Sequence, residues 1–139
     1  MAQEYVFKPI GFVRTKAREI PRHWSVSKVE GELVIDPAYE KGLQDLRPGE
    51  RLVVLFVFDR AEPFGPDKLL QTPPHRQKSR GVFSTCSPVR PNPIGLSVVE
   101  ILEVRGPVIR VRGLDMFDGT PILDLKPYKG YAADESGDP

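Results

Sequence analysis

The sequence predicts an all-β fold: a barrel or sandwich of about seven short antiparallel strands, with long connecting loops and at most one short helix. Three observations carry this. Seven runs are rich in β-branched and aromatic residues, with the alternation of a half-buried strand. Fifteen prolines and 12 glycines punctuate 139 residues too often for long helices. One segment alone has helical character, and it is short.

In chain order, the strands fall at YVFKPIGFVRT (Tyr5–Thr15), GELVIDP (Gly31–Pro37), RLVVLFVFD (Arg51–Asp59), GVFST (Gly81–Thr85), LSVVEILEV (Leu96–Val104), VIRVRGL (Val108–Leu114) and PILDLKPY (Pro121–Tyr128). RLVVLFVF is continuously apolar, which predicts a central strand covered on both faces. VEILEVRGPVIRVRGL predicts a hairpin turned at Gly106-Pro107, and LDMFDGTPILDL a second turned at Asp118-Gly119. The helix is PAYEKGLQDL (Pro37–Leu46), with proline at its start and Gly42 weakening it. Two loops, Thr15–Glu30 and Arg60–Arg80, are longer than turns require. Both are polar, basic and proline-punctuated, as functional or mobile loops are. Residues 1–130 read as one domain and 131–139 as a flexible acidic tail.

Hydrophobic content of 40% and charged content of 28% fit a soluble globular chain. With no long apolar run and no signal pattern, the expectation is a cytoplasmic protein without a membrane partner. One cysteine and two histidines leave no metal site to expect. Net charge is +1, so the distribution matters more than the total. Lys68 to Val99 contains no Asp or Glu but holds Lys68, Arg76, Lys78, Arg80 and Arg90. Arg14, Lys16, Arg18 and Arg22 form a second basic run, broken by Glu19. Such local excess suits phosphate binding, and equally a solvated loop face.

Several chemistries are excluded. There is no G-x-S-x-G elbow, no G-x-x-x-x-G-K-[ST] loop and no G-x-G-x-x-G fingerprint with βαβ alternation. What remains is binding, or chemistry that needs positioning more than acid–base machinery. Polar residues at strand ends become the candidates. Asp59-Arg60 closes the most apolar strand, and Asp115 and Asp118 flank Met116-Phe117. Each also has a structural reading: a strand stop, a turn pair, core residues overhanging a turn. In SPVRPNPIG, Pro88, Pro91 and Pro93 stiffen a loop that presents Arg90 and Asn92. Proline lowers the entropy of ordering such a loop, so its side chains stand where a ligand would need them. An edge-protecting connection is the alternative. Cys86 reads most simply as a small apolar residue.

Across FKPIGFVRT, IPRHW, RGVFSTCSPVRPNPIGLSVVEI and GLDMFDGTPILDLKPY, nearly the whole chain resembles the TsaA-like, or TrmO-like, tRNA adenine N6-methyltransferases. RPNPIG and DGTPILDLKPY are its most specific blocks. The resemblance implies a small antiparallel β-barrel that binds S-adenosyl-L-methionine without a Rossmann domain and works as a homodimer with a shared site. It implies methylation of N6 of threonylcarbamoyl-adenosine at tRNA position 37, beside the anticodon. Carried over by motif, cofactor contacts fall on Pro21, Arg22, His23, Asp59, Arg60, Cys86, Leu96, Asp115, Met116, Phe117 and Asp118. Many relatives have Arg at Cys86 and Gln at His23, so a charged contact from position 86 is not implied here. Some relatives carry a C-terminal extension, which implies a different grip on RNA.

With that assignment, Asn92 is the expected catalytic acceptor for the N6–H of the target. Arg76, Lys78, Arg80 and Arg90 are the expected RNA contacts at the tRNA anticodon loop. The competing readings are a non-catalytic S-adenosylmethionine- or RNA-binding β-module and a small-molecule methyltransferase.

Overall fold

The computed structural model describes residues 3–73 and 77–129. Its strands are β1 (Gly11–Arg14), β2 (Glu30–Ile35), β3 (Arg51–Val57), β4 (Leu70–Gln71), β5 (Arg80–Gly81), β6 (Ile94–Arg105), β7 (Val108–Arg112) and β8 (Pro121–Pro127). Six of them close into a barrel in the order β1-β2-β7-β6-β3-β8, while β4 and β5 form a separate small ladder. Every pairing is antiparallel. The barrel therefore has six strands rather than seven.

Alternation along the strands builds the interior. Leu52, Val54 and Phe56 of β3 meet Val99, Ser97 and Gly95 of β6 across the ladder, and all six are buried. Val13, Leu33, Ile109, Val111 and Ile122 complete the core from the other strands. Irregularities in register at Leu55/Phe56 and at Ile101/Glu103 mark bulges, which bend strands enough for a small barrel to close.

The expected first strand shrinks because Pro9 has no amide to donate. Pairing begins at Gly11, and Tyr5, Val6 and Phe7 stay exposed. GVFST is not a strand: Val82–Ser84 is one 3₁₀ turn, closed by the Thr85 hydroxyl donating to the Val82 carbonyl at 2.8 Å. Such a local side-chain bond competes with a ladder. The expected helix is a 3₁₀ segment, Pro37–Leu43, capped by Asp36 on the Ala38 amide at 2.9 Å. Two further 3₁₀ turns, Trp24–Val26 and Pro66–Lys68, lie in the long loops.

The hairpin at Gly106 is present, with Arg105 opposite Val108. The one expected at Asp118-Gly119 is not. Gly119 does sit in a turn with φ of 85°, but its amide bonds Val13, and β8 pairs with β1 and β3. Nor is β3 covered on both faces, because a single barrel has only one interior. Val53, Leu55 and Val57 point outward and remain half-buried. No helix among the described residues is long and apolar enough to cross a membrane. Residues 130–139, which include the expected tail, lie outside the described residues.

Candidate active-site cleft

At one rim of the barrel β3 ends and β6 begins, with Val57 opposite Ile94. The Phe58 amide donates to the Pro93 carbonyl at 2.8 Å, pinning the proline-stiffened loop to the end of β3. The same rim receives the 15–29 loop and the 113–120 loop. The Ser27 hydroxyl joins these two by donating to the Leu114 carbonyl at 2.5 Å.

Two cavities meet here. The smaller, about 170 Å³, is lined among others by Asp59, Arg60, Met116 and Phe117. The larger, about 530 Å³, is lined among others by Arg22, His23, Trp24, Cys86, Arg90 and Leu96. Phe56, Phe58, Pro88 and Asp115 line both, so the two form one cleft with a common wall. The Phe56 and Phe58 rings meet edge to face at 5.0 Å and make that wall aromatic.

Charge is distributed on purpose-built supports. The Arg60 guanidinium lies 5.0 Å from the Phe117 ring centroid and donates to the Asp118 carbonyl at 2.6 Å, tying the end of β3 to the 113–120 loop. Arg90 donates to the carbonyls of Thr85 and Ser87 at 3.0 and 3.1 Å, which folds the proline loop back on itself. Arg51 lies over both Trp24, at 5.8 Å, and Tyr128, at 4.9 Å. That stack holds Trp24, and with it the neighbouring His23 ring at 4.9 Å, against the barrel. Burial pushes the Asp115 carboxyl above its ordinary value. The Ser97 hydroxyl, the charge of His23 and the backbone amide of Trp24 pull it partly back.

Of the residues singled out in the sequence, Arg22, His23, Asp59, Arg60, Cys86, Arg90, Leu96, Asp115, Met116 and Phe117 converge on the cleft walls. Pro21 is half-buried beside them but lines neither cavity. The Asp118 carboxylate is committed elsewhere, accepting from the Thr15 amide at 3.0 Å. Asn92 is exposed on the loop between Arg90 and Ile94 and lines neither cavity. Arg80 lines a neighbouring cavity of about 460 Å³ that abuts the cleft at Thr85, Cys86 and Pro88. Lys78 is exposed, and Arg76 lies outside the described residues.

The sequence reading missed Trp24, Phe56, Phe58 and Ser97. The aromatic i, i+2 pair on β3 looks like core in any sequence. Ser97 left a trace, as the one hydroxyl among the apolar residues of SVVEI.

The family profile of the tRNA-methyltransferase O N-terminal domain matches residues 12–134. A probable S-adenosyl-L-methionine-binding protein of Archaeoglobus fulgidus is 44% identical over 124 residues, covering 87% of this chain and 33% of that protein. The tRNA (adenine(37)-N6)-methyltransferase of Escherichia coli is 34% identical over 139 residues, covering 92% of this chain and 59% of the enzyme. The crystal structure of TrmO from Pseudomonas aeruginosa superposes with a TM-score of 0.74 at 31% identity, covering 94% of this chain and 58% of that one. The chain thus spans a third of the Archaeoglobus protein and under two-thirds of the other two. A six-stranded barrel with its rim cleft, a profile matched over most of the length and these relatives together make this chain a member of the TrmO-like (TsaA-like) family of the tRNA-methyltransferase O N-terminal domain.

Proposed function

We propose that the chain is an S-adenosyl-L-methionine-dependent tRNA methyltransferase acting in the cytoplasm on N6 of threonylcarbamoyl-adenosine at position 37. The observation that carries this is the cleft itself. The cofactor contacts implied by family resemblance come from five separated stretches of chain, and nine of them line one pair of joined cavities. Together these volumes fall in the range of about 300–1,000 Å³ usual for small-molecule sites. Their chemistry fits the donor. Phe56, Phe58 and Phe117 offer faces for an adenine, Asp59 and Asp115 accept from hydroxyl or ammonium groups, and Arg22 meets a carboxylate.

A sulfonium donor brings its own leaving group, so the protein's task is alignment and exclusion of water. Arg60 and Arg90 hold the walls of the cleft in place through carbonyls on both sides. Asn92 is the proposed acceptor for the N6–H as the nitrogen rehybridises, reached from the exposed loop when the target base is bound. Arg76, Lys78, Arg80 and Arg90 supply the anticodon-loop contacts, with the base unstacked toward the cleft. A homodimer is part of the proposal. Ile94 and Leu96 are exposed at 44% and 54% beside the outward-facing Leu55 and Val57, an apolar strip that a second copy would cover at the cleft's edge.

The test is mass spectrometry of tRNA after incubation with labelled S-adenosyl-L-methionine, using threonylcarbamoylated and unmodified substrates. Label in adenosine 37 of the modified tRNA is expected. Retained turnover in Asn92→Ala at saturating donor and tRNA would remove that residue from the mechanism. A second reading, a donor-binding module without catalysis, is favoured by the name of the Archaeoglobus relative. Donor uptake with no label in either tRNA would select it.

A further inference from the structure

We propose that Ser97 is a positioning residue for the cleft, its hydroxyl holding the Asp115 carboxylate against the wall that both cavities share. Ser97 lies on β6 opposite Val54, with its side chain in the barrel interior and no exposed surface. Among the described residues only Ser97 and Thr120 are buried polar side chains. The Thr120 hydroxyl closes its own turn on the Phe117 carbonyl at 2.7 Å. Ser97 does no such local work, because its hydroxyl donates to Asp115 Oδ1, 18 residues along the chain.

A hydroxyl in an apolar interior is unfavourable unless it is bonded, and alanine or valine would pack there without that demand. The serine is therefore explained by the carboxylate it reaches. Asp115, in turn, takes no other side-chain hydrogen bond among the described residues. It faces the His23 imidazole and the Trp24 amide, both from the 15–29 loop. Ser97 is the only one of these partners carried on a barrel strand, so it is the rigid reference for the acceptor. An acceptor fixed before binding spares the ligand the cost of ordering it.

This rests on the donor-binding reading for its ligand, but not for its geometry, and the experiment separates the two. Carbon-13 NMR of the ligand-free protein follows the Asp115 carboxyl in wild type and in Ser97→Ala. The midpoint should move up in the variant, because the lost hydrogen bond favoured the charged form. Calorimetry with S-adenosyl-L-methionine then compares wild type, Ser97→Ala, Asp115→Ala and the double variant. Ser97→Ala should weaken uptake roughly tenfold beside Asp115, the scale of a charge-assisted bond, and have no further effect in the Asp115→Ala background, which has no acceptor for the hydroxyl. Ser97→Cys, close in size with a weaker donor, should fall between. An unmoved midpoint, or equal losses in both backgrounds, overturns the proposal. Absence of donor uptake by wild type would overturn the methyl-donor reading, and the NMR arm would still decide the Ser97–Asp115 coupling.

Discussion

The Phe56 ring fills the space beside Gly95, its partner across the β3–β6 ladder, where a side chain would otherwise stand. A Cβ on Gly95 would overlap the ring at Cζ, Cε1 and Cε2. The glycine of PNPIG is thus a packing requirement. It lets an aromatic side chain lie at the barrel rim, buried yet forming the floor of the cleft. The stiff loop and the apolar strand interlock at this pair.

Gly95→Ala should therefore displace Phe56 and, through their edge-to-face contact, Phe58. Overpacking of this kind costs about 1–3 kcal/mol. Urea unfolding should show that loss, and donor affinity should fall with it because both rings line both cavities. Wild-type stability in this variant would mean that the ring has room to move, and that the interlock is not what shapes the floor.

The barrel was legible where apolar, β-branched runs dominated. RLVVLFV and LSVVEILEV announced β3 and β6, and Gly106 the hairpin that joins β6 to β7. Legibility failed where a local side-chain bond decided the backbone. Thr85 closes a 3₁₀ turn on Val82, and no periodicity in GVFST reveals that. It failed again at Asp118-Gly119, where a true turn signal was present but the preceding residues leave the sheet to form a cleft wall. In the site, the charged residues at strand ends could be named from sequence. The supports could not, because Arg51 over Trp24 and Ser97 on Asp115 are long-range pairings that only the closed barrel creates.

Arg60→Lys should test whether planarity matters at the end of β3. Lysine keeps the charge but loses the flat face over Phe117 and the geometry of the bond to the Asp118 carbonyl. Both residues are exposed, so the stability cost should stay below about 1 kcal/mol. Donor affinity measured by calorimetry should fall more than stability does, because Arg60 and Phe117 line the smaller cavity. Unchanged affinity would make the pair a surface brace with no bearing on the ligand.

Asp115→Asn should change how stability depends on pH. Burial raises the folded-state value of this carboxyl above its ordinary 3.8. The native state therefore holds the proton more tightly than the unfolded chain does. Its stabilising contribution is complete below about 3.8 and is lost as pH rises through the folded value. The amide does not titrate and can still accept from Ser97. Relative to wild type, the variant should gain stability as pH rises from 3.5 toward 8, while donor affinity falls. A stability difference that stays constant across that range would show that Asp115 does not titrate in this way.

Lys78→Ala and Arg80→Ala should separate RNA contacts from donor contacts. Both side chains are exposed, and neither forms an ion pair among the described residues. Each phosphate neutralised on a single strand contributes about −0.7 to the slope of log affinity against log salt. Each variant should flatten that slope by roughly this amount for tRNA, yet leave uptake of S-adenosyl-L-methionine unchanged. Arg90→Met should behave differently. Its guanidinium is half-buried on the cleft wall and holds the Thr85 and Ser87 carbonyls, so donor uptake should weaken along with tRNA binding. Fluorescence titration of tRNA at several salt concentrations, beside calorimetry with the donor alone, distinguishes the two classes. If all three variants lower donor uptake equally, the basic window is part of the donor site and the RNA must be held elsewhere.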